Sequence, residues 1–208
     1  MKKIIDISWP LTNGMQEYKD RKSVKLEQIN TIETKGSRDF LLCMNNHTGT
    51  HVDGPSHMLP MGKNLSELGL EKLIGPAVVI DCTSSLEKVT VDVLKGIPLI
   101  PEIIVLLQTK NSFRSASEHF DTNFIYLDTV AAEYLVAQKV KAVGIDYLGI
   151  ERNQPDHQTH KVLLQHDIPI IEGLRLAHVQ AGNYMFFCLP LLLENVDSAP
   201  ARAVLQEV

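Results

Sequence analysis

The 208-residue sequence predicts an α/β fold built on a mixed sheet and richer in strand than in helix. Nine short apolar runs bounded by turn residues dominate the chain, and several are apolar on both faces, as buried strands are. Patterns with helical spacing are fewer. No repeat, low-complexity tract or linker divides the chain, so we expect one domain over residues 1–208.

The individual elements follow from the length of each run, its β-branched content and the turn residues that flank it. Strands are predicted at 4–8, 24–30, 40–45, 77–82, 103–109, 142–146, 168–172, 184–189 and 201–206. Helices are predicted at 65–73, 90–94, 129–139 and 160–166, the third with Asp128 placed to cap it.

Composition and motifs exclude several classes of function. With 20 Lys and Arg against 25 Asp and Glu, the formal net charge is −5, and the sequence has no basic run that would bind nucleic acid. The longest apolar stretch, residues 185–193, is far shorter than the roughly 20 residues of a membrane span. The sequence also lacks the G-x-G-x-x-G, P-loop and G-x-S-x-G motifs of nucleotide-binding proteins and serine hydrolases.

The cysteines and the amino terminus indicate a compartment. Cys43, Cys82 and Cys188 lie far apart and form no C-x-x-C, so neither a disulfide framework nor a thiolate zinc site is predicted. The first six residues hold too few apolar side chains for a signal peptide. We therefore expect an unprocessed, soluble protein of the cytoplasm.

Residues 46–57 carry the strongest chemical signal in the sequence. His47, His51, Asp53 and His57 fall within eleven residues, among Gly, Thr and Pro rather than apolar helix formers. Imidazole and carboxylate together suit Zn, Mn or Fe(II), and two His with one carboxylate leave coordination positions open for water and substrate. The segment predicts a catalytic metal site.

Spacing sets a condition on that site. His47 and His51 would be roughly 13 Å apart along a straight strand but roughly 6 Å apart along a helical turn. We therefore predict that the chain curls at Gly49, where glycine permits backbone conformations closed to other residues. Asp53 lies on the same side of an extended segment as His51, and the Gly-Pro turn after it would bring His57 back over the site.

A plainer interpretation exists for each histidine. Taken singly, a histidine in a loop is more often a surface residue or a hydrogen-bonded structural residue. The four side chains together favour the metal site, because a turn-rich loop has no physical need of three imidazoles.

Residues 47–57 resemble the H-x-G-T-H-x-D-x-P-x-H signature of the cyclase family, whose best known members are bacterial kynurenine formamidases and isatin hydrolases. The resemblance extends to residues 6–15, 144–146, 160–164 and 170–174. It implies a swivelling β/β/α arrangement with a barrel-like sheet around the site. It also implies a homodimer or homotetramer, for which the apolar residues 185–193 offer little support because such a run is more often core.

The resemblance implies a centre of one or two divalent ions per subunit, zinc or alternatively manganese. His47, His51 and Asp53 would bind one ion, with Asp53 bridging to a second; His160 would bind that second ion and Glu172 would contact both. From pattern alone, His160 is a solvated residue and Glu172 a strand-end carboxylate. The other histidines match no motif position and are interpreted as surface or structural residues: His119, His157, His166 and His178.

The resemblance further implies that His57 transfers protons, while two departures fall on the substrate side. Tyr18 stands where family formamidases have a tryptophan that packs on the aromatic substrate, and the Pro-Gly that follows it is missing. Gly149 stands where many members have serine. We expect Tyr18 to stack on an aromatic substrate; the alternative is that it packs only on its own loop.

We therefore expect a divalent-metal-dependent hydrolase of an amide bond, resembling the arylformamidases that convert N-formylkynurenine to kynurenine in tryptophan catabolism, and acting through metal-activated water. Two alternatives stay open. The same residues would serve hydrolysis of a cyclic amide such as an isatin-like lactam, or of an ester. The second alternative is a metal-containing binding module that has lost turnover, although such a module has no need of His57.

Overall fold

The computed structural model describes residues 2–116 and 119–208; Met1, part of the amino-terminal segment weighed above, lies outside these ranges. The strands are β1 (Ile4–Asp6), β2 (Lys25–Asn30), β3 (Asp39–Cys43), β4 (His51–Asp53), β5 (Ile74–Asp81), β6 (Lys88–Val89), β7 (Ile104–Gln108), β8 (Tyr126–Leu127), β9 (Ala142–Ile145), β10 (Ile170–Glu172), β11 (Gly182–Pro190) and β12 (Ser198–Glu207). The α-helices are α1 (Ile32–Lys35), α2 (Val91–Leu94), α3 (Thr129–Ala137) and α4 (Gln158–Leu164). Short 3-10 helices cover Tyr18–Asp20, Pro55–His57, Leu65–Glu67, Leu70–Lys72 and Lys110–Phe113.

Seven strands close into a barrel because β12 is long enough to pair with several neighbours. The order around the barrel is β12, β11, β5, β7, β9, β10 and β4, and β4 pairs back with residues 198–200 of β12. Strand β1 adds to β12 outside this ring. The pairs β5–β7, β7–β9 and β9–β10 are parallel and the other barrel pairs are antiparallel. The predicted mixed sheet with a barrel-like core is confirmed.

Alternating side chains of the strands supply two separate cores. One core contains Val79 and Phe186 and draws its strand residues from all the barrel strands, so it fills the barrel. The other contains Val78 together with Leu135 of α3 and Leu163 of α4, so it packs the helices onto the outside of the sheet. Strand β5 is apolar on both faces because each face meets one of these cores.

Each of the nine predicted strands is confirmed within a few residues. The structure adds the short strands β4, β6 and β8, which have two or three residues and too little pattern to predict. The predicted helix at 65–73 is wrong, because two 3-10 turns form there instead, separated by an extended Gly69. Asp128 does occupy the N-cap position of α3, but its carboxylate accepts a hydrogen bond from Lys88 Nζ rather than from the helix.

A two-stranded hairpin of β2 and β3 stands apart from the barrel sheet. Phe40, Leu41 and Leu42 are each about half exposed on it. The apolar stretch 185–193 divides into the end of β11 and an exposed turn that carries Leu191 and Leu192. Among the helices of the described ranges, none is both long enough and apolar enough to cross a membrane.

Candidate metal centre

The predicted site lies where β4 and β10 pair on the outer face of the barrel. Their antiparallel register places His51 directly opposite Glu172, so these two side chains project to the same side. Val52 and Ile171 belong to the core that fills the barrel. Because neighbouring strand residues alternate in direction, His51, Asp53 and Glu172 point away from that core and towards one another.

Two glycines bring the histidine-containing loop onto this pair of strands. Gly49 has a φ of +64°, so the chain curls where the sequence predicted. The curl places the ring centroids of His47 and His51 5.2 Å apart. Gly173, with a φ of +70°, lies so close to the Gly49 carbonyl oxygen that a Cβ atom at 173 would overlap it. Only glycine satisfies both the backbone conformation and the close approach.

Two further imidazoles face the same centre. The 3-10 turn after the Gly-Pro pair brings the ring of His57 to 4.2 Å from that of His47, between centroids. Helix α4 carries His160, whose Nε2 lies 3.5 Å from Glu172 Oε1 and 3.9 Å from Asp53 Oδ2. All five predicted ligands and His57 are therefore neighbours.

The hydrogen bond of His51 shows which of its nitrogens faces the centre. Its Nδ1 lies 3.0 Å from the Gly49 carbonyl oxygen and donates to it, so the neutral ring presents an unprotonated Nε2. That Nε2 lies 3.6 Å from Asp53 Oδ1 and 3.5 Å from Glu172 Oε2. Within the described residues, His51 Nε2 and both Asp53 oxygens are buried without a hydrogen-bond partner. Burying acceptor atoms that face one another without a donor costs free energy, and a cation bound among them would remove that cost.

The charges of the site favour a cation in the same way. Burial lowers the pKa of His47, but Asp197 and Asp53 outweigh it and raise that pKa to about 10. Burial likewise lowers the pKa of His160, and Glu151 and Glu172 raise it to about 10. The carboxylates thus keep both imidazoles protonated, and a divalent metal would take the place of those protons. Imidazole nitrogens and carboxylate oxygens are ligands that zinc and manganese accept, so the residues present fit such an ion.

Sequence reasoning did not identify two carboxylates of the site. Asp197 Oδ2 lies 2.8 Å from His47 Nε2 and 2.7 Å from His57 Nδ1. Glu151 Oε2 lies 3.0 Å from His160 Nδ1, and its other oxygen contacts the half-exposed His157 at the rim. Glu151 carries a usable signal, because it follows the parallel strand β9 at the edge where β10 delivers Glu172. Asp197 has none in the sequence, since only the pairing of β12 with β4 brings it here.

A cavity of about 270 Å³ opens in front of the histidines. Its lining also includes Tyr18, Lys19, Arg21 and Gly149. The Tyr18 ring packs edge-on against Phe120, with centroids 4.9 Å apart, and therefore both lines the cavity and contacts its own surroundings. A Cβ atom at position 149 would lie 3.3 Å from the Phe124 ring and 3.6 Å from the Tyr18 ring, so Gly149 packs closely beside both aromatic side chains.

Comparisons with known proteins agree with this geometry. The family model described as "Putative cyclase" matches residues 5–152. A kynurenine formamidase of Bacillus cytotoxicus is 32% identical over 204 residues, 97% of this chain and 96% of that protein. A solved structure described as a potential metal-dependent hydrolase with cyclase activity is 36% identical with a TM-score of 0.90, covering 100% of this chain and 99% of its own. Isatin hydrolase A from Labrenzia aggregata, 21% identical over 99% of this chain and 93% of its own, shares the fold with a TM-score of 0.86. Since the family model covers most of the chain, the protein belongs to the cyclase family.

Proposed function

We propose that residues 1–208 form a divalent-metal-dependent hydrolase that cleaves an aryl formamide, with N-formylkynurenine to kynurenine as the type reaction. The observation that carries it is the convergence of buried Asp53 and Glu172 with His51 Nε2, an arrangement in which neither Asp53 oxygen has a hydrogen-bond partner among the described residues. The kynurenine formamidases that are similar over nearly the whole chain supply the substrate class. In this reaction water adds to the formyl carbon, the C–N bond breaks, and formate and an aryl amine leave.

The ligands of the proposed centre are the five residues that converge on it: His47, His51, Asp53, His160 and Glu172. Asp53 and Glu172 each face more than one imidazole, which suits a centre of one or two ions. We propose zinc, with manganese as the alternative. When bound, such an ion would lower the pKa of its water to about 7 and polarise a carbonyl oxygen.

His57 is the proposed proton carrier. Its Nδ1 donates to Asp197 Oδ2, which leaves Nε2 as an acceptor on a ring that lines the cavity. Nε2 would take a proton as water attacks the formyl carbon and return it to the leaving nitrogen, the two roles of a general acid–base. A binding protein has no use for an imidazole held in that tautomer.

Tyr18 is the proposed contact for the aromatic part of the substrate. Its ring lines the same cavity as His47, His57 and His160 and packs edge-on against Phe120. An aromatic substrate ring would stack there while its formamide group reaches the ligands. The expected contribution is modest, because a tyrosine offers less surface than the family's tryptophan.

A second candidate is hydrolysis of a lactam or an ester by the same residues. The observation in its favour is confined to the substrate side, where Tyr18 stands in place of the family's tryptophan and Gly149 in place of the usual serine. The metal ligands and His57 would act in the same way on either substrate.

One experiment separates these candidates. Protein loaded with zinc would be assayed on N-formylkynurenine, simple aryl formamides, isatin-like lactams and aryl esters, before and after treatment with a chelator. We expect fastest turnover on the formamides, loss with chelator and recovery with added zinc. Faster lactam or ester turnover would favour the second candidate. Bound zinc without turnover on any substrate would instead indicate a binding module.

We also propose a homodimer in the cytoplasm. The exposed Phe40, Leu41 and Leu42 of the hairpin are the surface on which a second copy would pack, and the three cysteines are free, as in a reducing compartment. Light scattering of the wild type and of Leu41→Glu tests the assembly. A monomeric wild type would contradict it.

A further inference from the structure

We infer that Asp197 is a positioning residue that orients His47 and His57 together through one carboxylate oxygen. The inference rests on the proposed function for its kinetic consequences, but its structural content can be tested without turnover. A single oxygen, Oδ2, lies 2.8 Å from His47 Nε2 and 2.7 Å from His57 Nδ1, and the two rings are only 4.2 Å apart. One side chain thus connects a proposed metal ligand with the proposed proton carrier.

The backbone holds Asp197 firmly in place. Ser198, the next residue, pairs with Asp53 in the sheet, so the register of β12 fixes where Asp197 enters the site. The Asp197 carbonyl oxygen accepts a hydrogen bond from the Gly54 backbone at 2.8 Å. Asp197 is therefore attached to the same segment that carries the histidines.

A neighbouring amide fixes the rotation of the carboxylate. Asn46 Nδ2 donates to Asp197 Oδ1 at 2.8 Å and lies 2.7 Å from Ser198 Oγ. With Oδ1 held in this way, Oδ2 faces the two imidazoles. The group has a defined orientation although its side chain is one-third exposed.

This arrangement selects the tautomer of both rings. A carboxylate accepts hydrogen bonds, so His47 donates from Nε2 and His57 donates from Nδ1. Once a metal replaces the second proton of His47, the nitrogens left unprotonated are His47 Nδ1, which lies 2.9 Å from Asp53 Oδ1 at the proposed metal, and His57 Nε2. Carboxylates that hold metal-ligating histidines in this way raise metal affinity by about 10- to 100-fold. Asp197 acts on the metal through His47 and on proton transfer through His57.

The test compares Asp197→Ala and Asp197→Asn with the wild type, and uses Asp167→Asn as the matched control. Asp167 is an exposed aspartate that pairs only with Lys63 in the described structure. Zinc affinity is measured by competition with a chromophoric chelator, and nitrogen-edited NMR of the zinc-loaded proteins reports the histidine tautomers. We expect zinc affinity to fall about 10-fold or more in Asp197→Ala. We also expect the Nδ1–H signal of His57 to disappear.

Kinetics provide a second, separate arm. In Asp197→Ala at saturating zinc, kcat should fall with KM nearly unchanged, and adding Asp197→Ala to a His57→Ala background should cost no further kcat. Asp167→Asn should match the wild type throughout. Unchanged zinc affinity together with unchanged tautomers would overturn the inference, as would additive losses in the double variant. If the wild type hydrolyses no substrate, the proposed function fails, whereas the zinc and NMR measurements still decide the role of Asp197.

Discussion

The two walls of the cavity are built in different ways. On the ligand side, three of the five proposed ligands come from paired strands, and these three, His51, Asp53 and Glu172, are at least nine-tenths buried. The substrate side comes from residues outside the strands, where Tyr18 is half-buried and Lys19 and Arg21 are exposed. Both departures from the family pattern, Tyr18 and Gly149, lie on the loop side. The chemistry is thus held by the rigid part of the fold, and the substrate preference is left to residues that can change without disturbing the ligands.

The largest effect should follow from removing the most buried ligand. Asp53→Ala deletes a carboxylate that faces three imidazoles, so we expect loss of bound zinc and a fall in kcat/KM of about a thousandfold or more. Elemental analysis and amidase assays measure both quantities. The fully exposed Asp92, changed to Ala, is the control. Full zinc occupancy in Asp53→Ala would remove it from the ligand set.

A smaller and different effect is expected at the proton carrier. His57→Ala should keep its zinc and lose about 10²- to 10⁴-fold in kcat, the usual contribution of a general acid–base. His166 is an exposed histidine just beyond α4 whose Nδ1 bonds to the Val162 carbonyl oxygen, so His166→Ala should behave as the wild type. If His57→Ala also loses zinc, His57 is a ligand rather than the proton carrier.

The stability of the ligand site and its affinity for zinc should also depend on pH. The direction of each change follows from the raised pKa values of His47 and His160. Without metal, His47 and His160 have a pKa of about 10 against an ordinary 6.5, so the stability they contribute is complete below pH 6.5 and is lost as the pH rises towards 10. Zinc must displace those protons and therefore binds better as the pH rises. The difference in melting temperature between zinc-loaded and metal-free protein should widen from pH 6.5 to 8.5. A constant or shrinking difference would contradict this.

The smallest effect is expected on the loop wall. Tyr18→Ala should raise KM for aryl formamides by about tenfold or less, since an aromatic pair contributes about 0.5–1.5 kcal/mol, with kcat and zinc content largely kept. Tyr18→Phe retains the ring and serves as the control. Equal KM values in all three proteins would mean that Tyr18 packs only against Phe120. A loss of zinc in Tyr18→Ala would contradict the view that the substrate side can change without disturbing the proposed metal ligands.

The sequence pattern predicted most of the barrel and three of the five proposed ligands for identifiable reasons. Strands such as β5 and β7 are apolar on both faces, and that pattern does not depend on distant residues. The curl at Gly49 followed from the spacing of His47 and His51. His160 and Glu172, in contrast, were assigned only through the family resemblance, because they lie more than 100 residues from His51 and local pattern does not connect them.

What the sequence did not predict depends on contacts between distant segments. Strand β4 has three residues and forms because β10 and β12 pair with it on either side. Asp197 has no motif around it and is placed only by that pairing. The helix expected at 65–73 does not form, because the backbone is extended at Gly69. This extended residue separates two short 3-10 turns. In each case a tertiary contact or a local break overrode the local pattern.

The closure of the barrel by its last strand has a consequence for how the protein is made. His47 and Asp197 are 150 residues apart in sequence, yet they meet at the centre of the site. During synthesis the histidine loop leaves the ribosome long before β12 exists, and until β12 pairs with β4 neither the barrel nor the ligand wall is complete. A nascent fragment that holds every one of the clustered histidines but lacks β12 would therefore lack the paired β4 that positions His51 and Asp53, and we expect it to bind metal poorly.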